Sequence, residues 1–533
     1  MPDDKTAATN GARRGELLSA AAFLLAVAAA ILLRFYWIGI KPFHHDESVN
    51  SYFLLDLWRN GNYKYNPENY HGPMLYYFAL AAVKAFGLND FALRLTPAVW
   101  GVLTVLILWP VRRALGLVGT PVAAMMIALS PGLVYFSRDF IHESSFGFFS
   151  LALAVCAWRY AETKKFTWLA LGAAAAGLLF ATKETAIITA VVLALAALCA
   201  AVWETGRRMV TSDSDFQPGA RFGELWRDTR AMLPSLDYVC AALIIFLFIN
   251  VIFYSSFFTN WRGVPDAVKS VLMWTGRGVS HQEHYHNPTY YLGILVKLEL
   301  PLLSGAVIGS VAALWRGNRF GLFVFAWAAG ISIGYSIIPY KTPWLMVSML
   351  IPLALLCGVA AEVIFANLRP LTLRLVWLAM IVAALVPCAR MAWQQNIHHS
   401  ADNNNALGYF RALGVRRQWR PWTDTQYGYV YAQTDLSTLA LEQAIREAAD
   451  KMPFGKKTNV YVASPDYWPL PWYLRDYENV IYAGTLPLEL TAPIVVAAPN
   501  QREQIEGMLG GPFKSSVYTL RPGVDLWLYV REP

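Results

Sequence analysis

Met74–Phe86, MLYYFALAAVKAF, decides how this chain is threaded. It is apolar, runs for about 13 residues and carries Lys84 near its end. About 20 apolar residues are needed to cross roughly 30 Å of hydrocarbon. The segment is therefore expected to lie along a membrane surface as an amphipathic helix. If it lies flat, the next apolar run, Phe91–Trp109, is a crossing that delivers Arg112 and Arg113 to the cytoplasm. If it crossed instead, Arg112, Arg113, Lys164 and Lys165 would all fall outside, against the tendency of short basic loops to stay in.

Outward from there, apolar runs near crossing length recur. One precedes the segment, Leu17–Ile38, following Arg13 and Arg14. Beyond Phe91–Trp109 they fall at about 119–136, 145–160, 166–182, 185–203, 237–258, 290–314, 320–338, 344–366 and 372–392. The first run ends in Arg34-Phe-Tyr-Trp37, an interfacial anchor rather than a small-residue cleavage site, so it is expected to stay as a span. With 56% hydrophobic and only 15% charged residues, the composition excludes an ordinary soluble protein, in which about a quarter would be charged. The expected fold is an α-helical polytopic membrane protein of about 11 transmembrane helices over residues 1–393.

From residue 394 the pattern changes. Apolar runs shorten to strand length at Asn459–Ala463, Val480–Tyr482, Ile494–Ala498 and Leu526–Val530, with helical patterns at Ser437–Lys451 and Gln501–Leu509. Residues 394–533 are expected to form a soluble α/β domain, and an odd number of spans puts it outside the cytoplasm. The net charge of +8 resides mostly in short loops, where topology accounts for it, so nucleic acid is not an expected partner. The five cysteines are scattered through apolar runs with no metal or disulfide spacing. The loop 204–235 is expected to be a cytoplasmic surface segment.

This threading gathers the polar clusters at one interface. His44-His45-Asp46-Glu47 follows the first span and suits proton abstraction or metal binding, or else a helix start with acids at its N-terminus. Arg138-Asp139 and His142-Glu143 come between the third and fourth spans. There Arg138 suits a phosphate through its two-pronged donors, or snorkels to the interface. His281, Glu283, His284 and His286 crowd one loop; with His71 or Asp46 they suit a divalent metal, or are incidental surface histidines. Tyr340-Lys341 and Lys183-Glu184 sit at other hairpin tips, as headgroup contacts or as anchors and local ion pairs. Lys297 and Glu299 fall inside the eighth span, where charges are functional by default unless the span starts later. Trp468, Trp472 and Tyr473 are either sugar-stacking aromatics or an aromatic core.

With these residues in view the chain resembles membrane glycosyltransferases of the GT-C fold. The stretch FGLNDFALRLTPAVWGVLTVLILWPVRRALG is similar to the branch of protein O-mannosyltransferases and lipid A aminoarabinose transferases. HHDESVNSYFLLDLWRNGNYKYNPENYHGPMLYYF, YFSRDFIHESSFGFF, YKTPW and PDYWPLPWYLRDY resemble a bacterial and archaeal flippase activity-associated subfamily of that group. The resemblance implies transfer of a sugar from a polyprenyl-phosphate donor to a protein, lipid or glycan hydroxyl, at the outer face of the cytoplasmic membrane and with inversion. Asp46 matches the first-loop catalytic acid. Glu143 or Asp139 fills the second acid's place. Glu47, Arg138, Lys183, Lys341 and Tyr340 are the expected substrate-binding residues. His71, His284 and His286 are candidate ligands for a divalent metal, His71 standing where relatives carry a metal-binding glutamate. Gly72 replaces a phosphate-binding lysine of those relatives. The alternatives are a lipid-linked sugar flippase or transport subunit and a non-catalytic scaffold of glycan assembly.

Overall fold

The computed structural model describes residues 3–69, 71–211, 233–278, 284–398 and 428–532. Every run expected to cross is helical. Among the described residues seven helices are long and apolar enough to span: Arg13–Phe35, Asp90–Leu115, Ala186–Trp203, Leu236–Tyr254, Arg319–Ile337, Pro343–Asn367 and Leu371–Ile397. An eighth is bent by 109° between Tyr290–Leu298 and Leu300–Arg316. The rest are Gly119–Leu129 continued by Pro131–Phe136, Glu143–Thr163 and Phe166–Phe180. Together they make a multi-pass membrane protein. Met74–Phe86 is a helix of its own, with Lys84 in its last turn. Residues 212–232, most of the expected cytoplasmic loop, lie outside the described residues.

The bend at Glu299 corrects one expectation. Lys297 is exposed, whereas Glu299 is buried and accepts hydrogen bonds from Ser130 Oγ (2.8 Å), Gly132 N (2.8 Å) and Tyr429 Oη (2.9 Å). They are not an intramembrane pair. Glu299 instead shares with Ser130 the capping of the short helix Pro131–Phe136, Glu299 accepting from Gly132 N and Ser130 Oγ from Leu133 N.

Lipid cannot drive apolar helices together as water does, so close approach of backbones at small residues does much of the packing. Gly309 faces Leu356, and a Cβ there would collide with the Leu356 carbonyl. A Cβ on Gly334, by contrast, meets nothing within 4 Å. Gly309→Ala is therefore expected to lower the thermal midpoint of the solubilised protein by several degrees, and Gly334→Ala to leave it near wild type. Thermal unfolding of the two variants checks this.

Residues 428–532 carry a five-stranded sheet. Its strands are β1 Val460–Val462, β2 Val480–Tyr482, β3 Ile494–Ala497, β4 Phe513–Arg521 and β5 Val524–Arg531, in the order β2-β1-β3-β5-β4. β1 pairs parallel with β2 and β3, and β5 pairs antiparallel with β3 and β4. The helix Ser437–Asp450 buries Leu441, Ile445 and Ala449, one face at four-residue spacing, against Val460, Val462, Leu526 and Leu528. β4 is a strand the sequence reading passed over, because FKSSVYTLR is mostly polar.

This unit is docked on the loop after the first helix. Trp472 is fully buried, stacks on Phe43 at 5.0 Å and donates from Nε1 to Asp90 (2.7 Å). The Phe43 amide donates to Tyr473 Oη (2.7 Å), Ser48 Oγ to the Pro469 carbonyl (3.2 Å) and Thr434 Oγ1 to the Phe43 carbonyl (2.7 Å). Trp472 and Tyr473 are thus the joint between the two parts of the chain, not free sugar-stacking platforms.

Candidate active site

The helix His45–Asn60 opens at the polar cluster. Its N-cap is His44, whose Nδ1 accepts from the Asp46 amide (3.1 Å), while Glu47 reaches back to the His44 amide (2.9 Å). This reciprocal capping satisfies two donors that a helix start leaves open. The His44 Nε2 lies against the Tyr431 carbonyl, so Nε2 carries the proton and Nδ1 the lone pair.

Glu47 was expected to hold substrate, but the structure gives it other partners. It is fully buried and meets the Arg94 guanidinium in a two-pronged pair, Nε to Oε1 at 2.7 Å and Nη2 to Oε2 at 2.6 Å. The Phe140 amide also donates to it (2.8 Å). Burial pushes the carboxyl up, but the Arg94 charge and hydrogen bonds outweigh that and hold it below the usual carboxylate range. Arg94 donates as well to the carbonyls of Ile38, Lys41 and Pro42. Glu47 and Arg94 therefore fix the first loop, and Asp46 beside them is left half-buried, its carboxylate unpaired among the described residues.

Arg138 is likewise spent. It donates to the carbonyls of Leu33 (2.8 Å), Arg34 (3.3 Å), Tyr36 (2.9 Å) and Trp37 (2.9 Å), closing the C-terminus of the first helix. Those carbonyls have no partner within the helix, and a buried guanidinium supplies one. Its expected grip on phosphate is replaced by this cap.

Asp139 is buried beside Lys41, Nζ to Oδ1 at 3.5 Å, and Lys41 also lies over the Tyr135 ring at 4.2 Å. Burial raises the Asp139 carboxyl above its ordinary value, against the pull of Lys41, and lowers the Lys41 ammonium. Glu143, the other candidate second acid, is 2.8 Å from Lys183 Nζ in a buried pair. Lys183 is thus engaged with Glu143 rather than open to substrate. Of the two acids, Asp139 is the one joined to the first loop, through Lys41.

Behind lies a third group. His71 and Lys183 form an isolated antiparallel bridge, His71 Nδ1 is 3.6 Å from Glu184 Oε2, and the His71 and His142 rings are 4.9 Å apart. His142 is buried with Nε2 on the Gly72 carbonyl (3.2 Å). Burial, then His71 and Lys183, lower its pKa well below the ordinary value. In the unfolded chain it would protonate near pH 6.5. The unfolded state then binds more protons, so stability is expected to fall as pH drops below about 6.5 toward the depressed folded value, and to level off above about 7. Thermal midpoints between pH 7 and 5 check this, with a smaller slope expected in His142→Gln.

On the far side of Tyr431 is the hairpin that contains Lys341. Tyr431 packs on His284 (5.4 Å) and Trp344 (5.3 Å), and Tyr340 bridges Tyr285. Lys341 Nζ donates to the carbonyls of Ile338 (2.5 Å) and His286 (3.0 Å), which leaves one N–H. His284 and His286 belong to this hairpin, with His286 stacked on Tyr290 at 4.1 Å. His71 is in the other group, so the three expected metal ligands do not converge. Among the described residues no cluster of three His, Cys, Asp or Glu is close enough to hold a metal ion. His281 and Glu283 lie outside the described residues.

Sequence reasoning missed Lys41, Arg94 and Tyr431. Arg94 was legible: a charge a few residues inside an apolar run needs a buried partner. Tyr431 gave no local signal, since its role depends on how the C-terminal unit docks.

Residues 70–217 match the sequence profile of Dolichyl-phosphate-mannose-protein mannosyltransferase. No curated protein matches the chain in sequence. In structure it is similar to ArnT from Cupriavidus metallidurans bound to undecaprenyl phosphate, with a TM-score of 0.64 at 15% identity over 96% of this chain and 99% of that one. It is also similar to the archaeal oligosaccharyltransferase AglB from Archaeoglobus fulgidus, in complex with an inhibitory peptide and a dolichol-phosphate, with a TM-score of 0.55 at 12% identity over 91% of this chain and 70% of that one. From its membrane helices to its docked C-terminal sheet, the chain has the GT-C glycosyltransferase fold.

Proposed function

We propose that this protein is a membrane glycosyltransferase that moves a sugar from a polyprenyl-phosphate donor to an acceptor hydroxyl, with inversion. The observation that carries the reading is the unpaired Asp46 carboxylate, held at the head of a helix by the buried Glu47–Arg94 pair. Asp46 takes the proton from the acceptor hydroxyl. The freed oxygen attacks the anomeric carbon as the bond from that carbon to the phosphate oxygen breaks, and the lipid phosphate leaves with the electron pair. A leaving phosphate needs hydrogen-bond donors and positive charge rather than a proton. Lys341, across Tyr431 from His44, has an N–H to offer. Asp139, poised by Lys41, is the second acid of this reading.

The membrane orientation belongs to the same proposal. The ends bearing Arg316, Arg319 and Glu362 meet where Arg316 bonds Asn367 and Glu362 accepts from Val118 (2.8 Å). These lie at the opposite end of Met346–Asn367 from Lys341. Basic loops stay in the cytoplasm, so the site would face outward across the cytoplasmic membrane. A transport reading has less support, because Glu299, the buried acid of the bent span, is tied by three donors. Purified protein offered a panel of polyprenyl-phosphate sugars and a membrane extract tests the proposal. Acceptor-dependent sugar release from one donor is expected; no release from any donor would overturn it.

A further inference from the structure

Next to Asp46 the two parts of the chain enclose a patch whose groups the transfer step above does not use. Trp468, from the C-terminal unit, is half-buried, 6.1 Å from the His45 ring and 6.2 Å, edge-on, from Tyr52. Its indole N–H and both nitrogens of His45 have no hydrogen-bond partner among the described residues, yet neither side chain is sealed from solvent. Asp466 and Arg521 form an ion pair close enough for both charges to be felt by His45.

The patch is built rather than loose. Ser464 Oγ donates to the Asp466 carbonyl (3.0 Å), Ser48 Oγ donates to the Pro469 carbonyl (3.2 Å), and Arg521 at the end of β4 ties down Asp466. Trp468 is therefore anchored on both sides, one anchor coming from the very helix that bears Asp46. Of its immediate neighbours in the chain, Pro469 is buried and Tyr467, like Trp468 itself, is half-buried. An indole kept at a surface by fixed flanks is a platform with little conformational entropy left to lose on binding.

We propose that Trp468 and His45 form the acceptor subsite, and that the acceptor is a carbohydrate. This rests on the transferase reading and adds its second substrate class. A pyranose presents an apolar C–H face bounded by hydroxyls that both donate and accept. The indole supplies an apolar surface and a donor, and neutral His45 supplies a donor and an acceptor. Burial lowers the His45 pKa and favours that neutral form. An extended peptide would instead seek a run of backbone N–H and C=O groups, whereas the groups on offer here are side chains.

The test uses the full chain in detergent, with methyl α-mannopyranoside, methyl β-glucopyranoside and a serine-containing peptide as probes in saturation-transfer NMR. Transfer to pyranoside ring protons is expected in wild type. It should be lost in Trp468→Ala and recovered in Trp468→Tyr, which keeps a ring and a donor. Once the donor is known, Trp468→Ala should raise the acceptor KM about tenfold while the donor KM stays unchanged. Saturation transfer to the peptide alone, or equal transfer to the pyranosides in wild type and Trp468→Ala, would overturn the subsite. The NMR arm needs no turnover, so it still judges the subsite if every donor fails and the transferase reading falls.

Discussion

Asp46→Asn is expected to lose about 10²–10⁴-fold in acceptor-dependent sugar release, the usual worth of a positioned general base, while folding as well as wild type. The substitution keeps shape and removes only the ability to take a proton. The backbone bond from Asp46 N to His44 Nδ1 survives it, and no described side chain loses a partner. The cost to stability is limited to the favourable charge at a helix N-terminus, a few tenths of a kcal/mol. The donor KM should hardly move, since the lost interaction belongs to the acceptor proton. Measuring release and thermal midpoint on the same preparation separates the outcomes. Equal release by the variant would remove Asp46 as the base.

The largest structural effect is expected at the neighbouring residue. Removing Arg94 leaves a carboxylate at 0% exposure without its counter-charge. Breaking a buried pair from one side typically costs about 3–5 kcal/mol, and here the Ile38 and Lys41 carbonyls lose a donor too, while Pro42 keeps only Gln433. Arg94→Ala should therefore show a lowered thermal midpoint or fail to accumulate. Arg94→Lys should recover only part, since an ammonium has three donors where the guanidinium offers five. Replacing both Glu47 and Arg94 with apolar residues is not expected to rescue the fold as it can in simpler pairs. The His44 and Phe140 amides would then be buried without an acceptor. Thermal unfolding of the single and double variants gives the coupling between them directly. A double variant as stable as wild type would contradict this.

The helices, Met74–Phe86 among them, were legible from the apolar runs. The bend at Glu299 had a local sign in Pro301, at the start of its second half, but the partners of Glu299 are remote, coming from 130–132 and 429. The same distinction runs through the site. The sequence brings out His44 to Glu47 as a cluster of acids and histidines, yet neighbours one residue apart face opposite demands. Glu47 is turned into the protein by Arg94, and Asp46 is left at the surface of the site. Arg138 reads as a phosphate ligand because guanidinium chemistry suits phosphate, but the open carbonyls at the end of the first helix suit it equally and are nearer. The grouping of His71 with His284 and His286 failed for want of tertiary distance, which spacing along a chain does not encode.

The joint between Phe43 and Tyr473 links residues 430 positions apart. Its consequence concerns biogenesis. The ribosome makes Asp46 early and inserts its helix while most of the protein is still unmade. The loop that orients this residue lacks its Trp472 and Tyr473 contacts until the C-terminal unit has been made and folded. Chains truncated before that point should insert and yet stay inert, and a C-terminal fragment supplied in trans is the natural way to wake them.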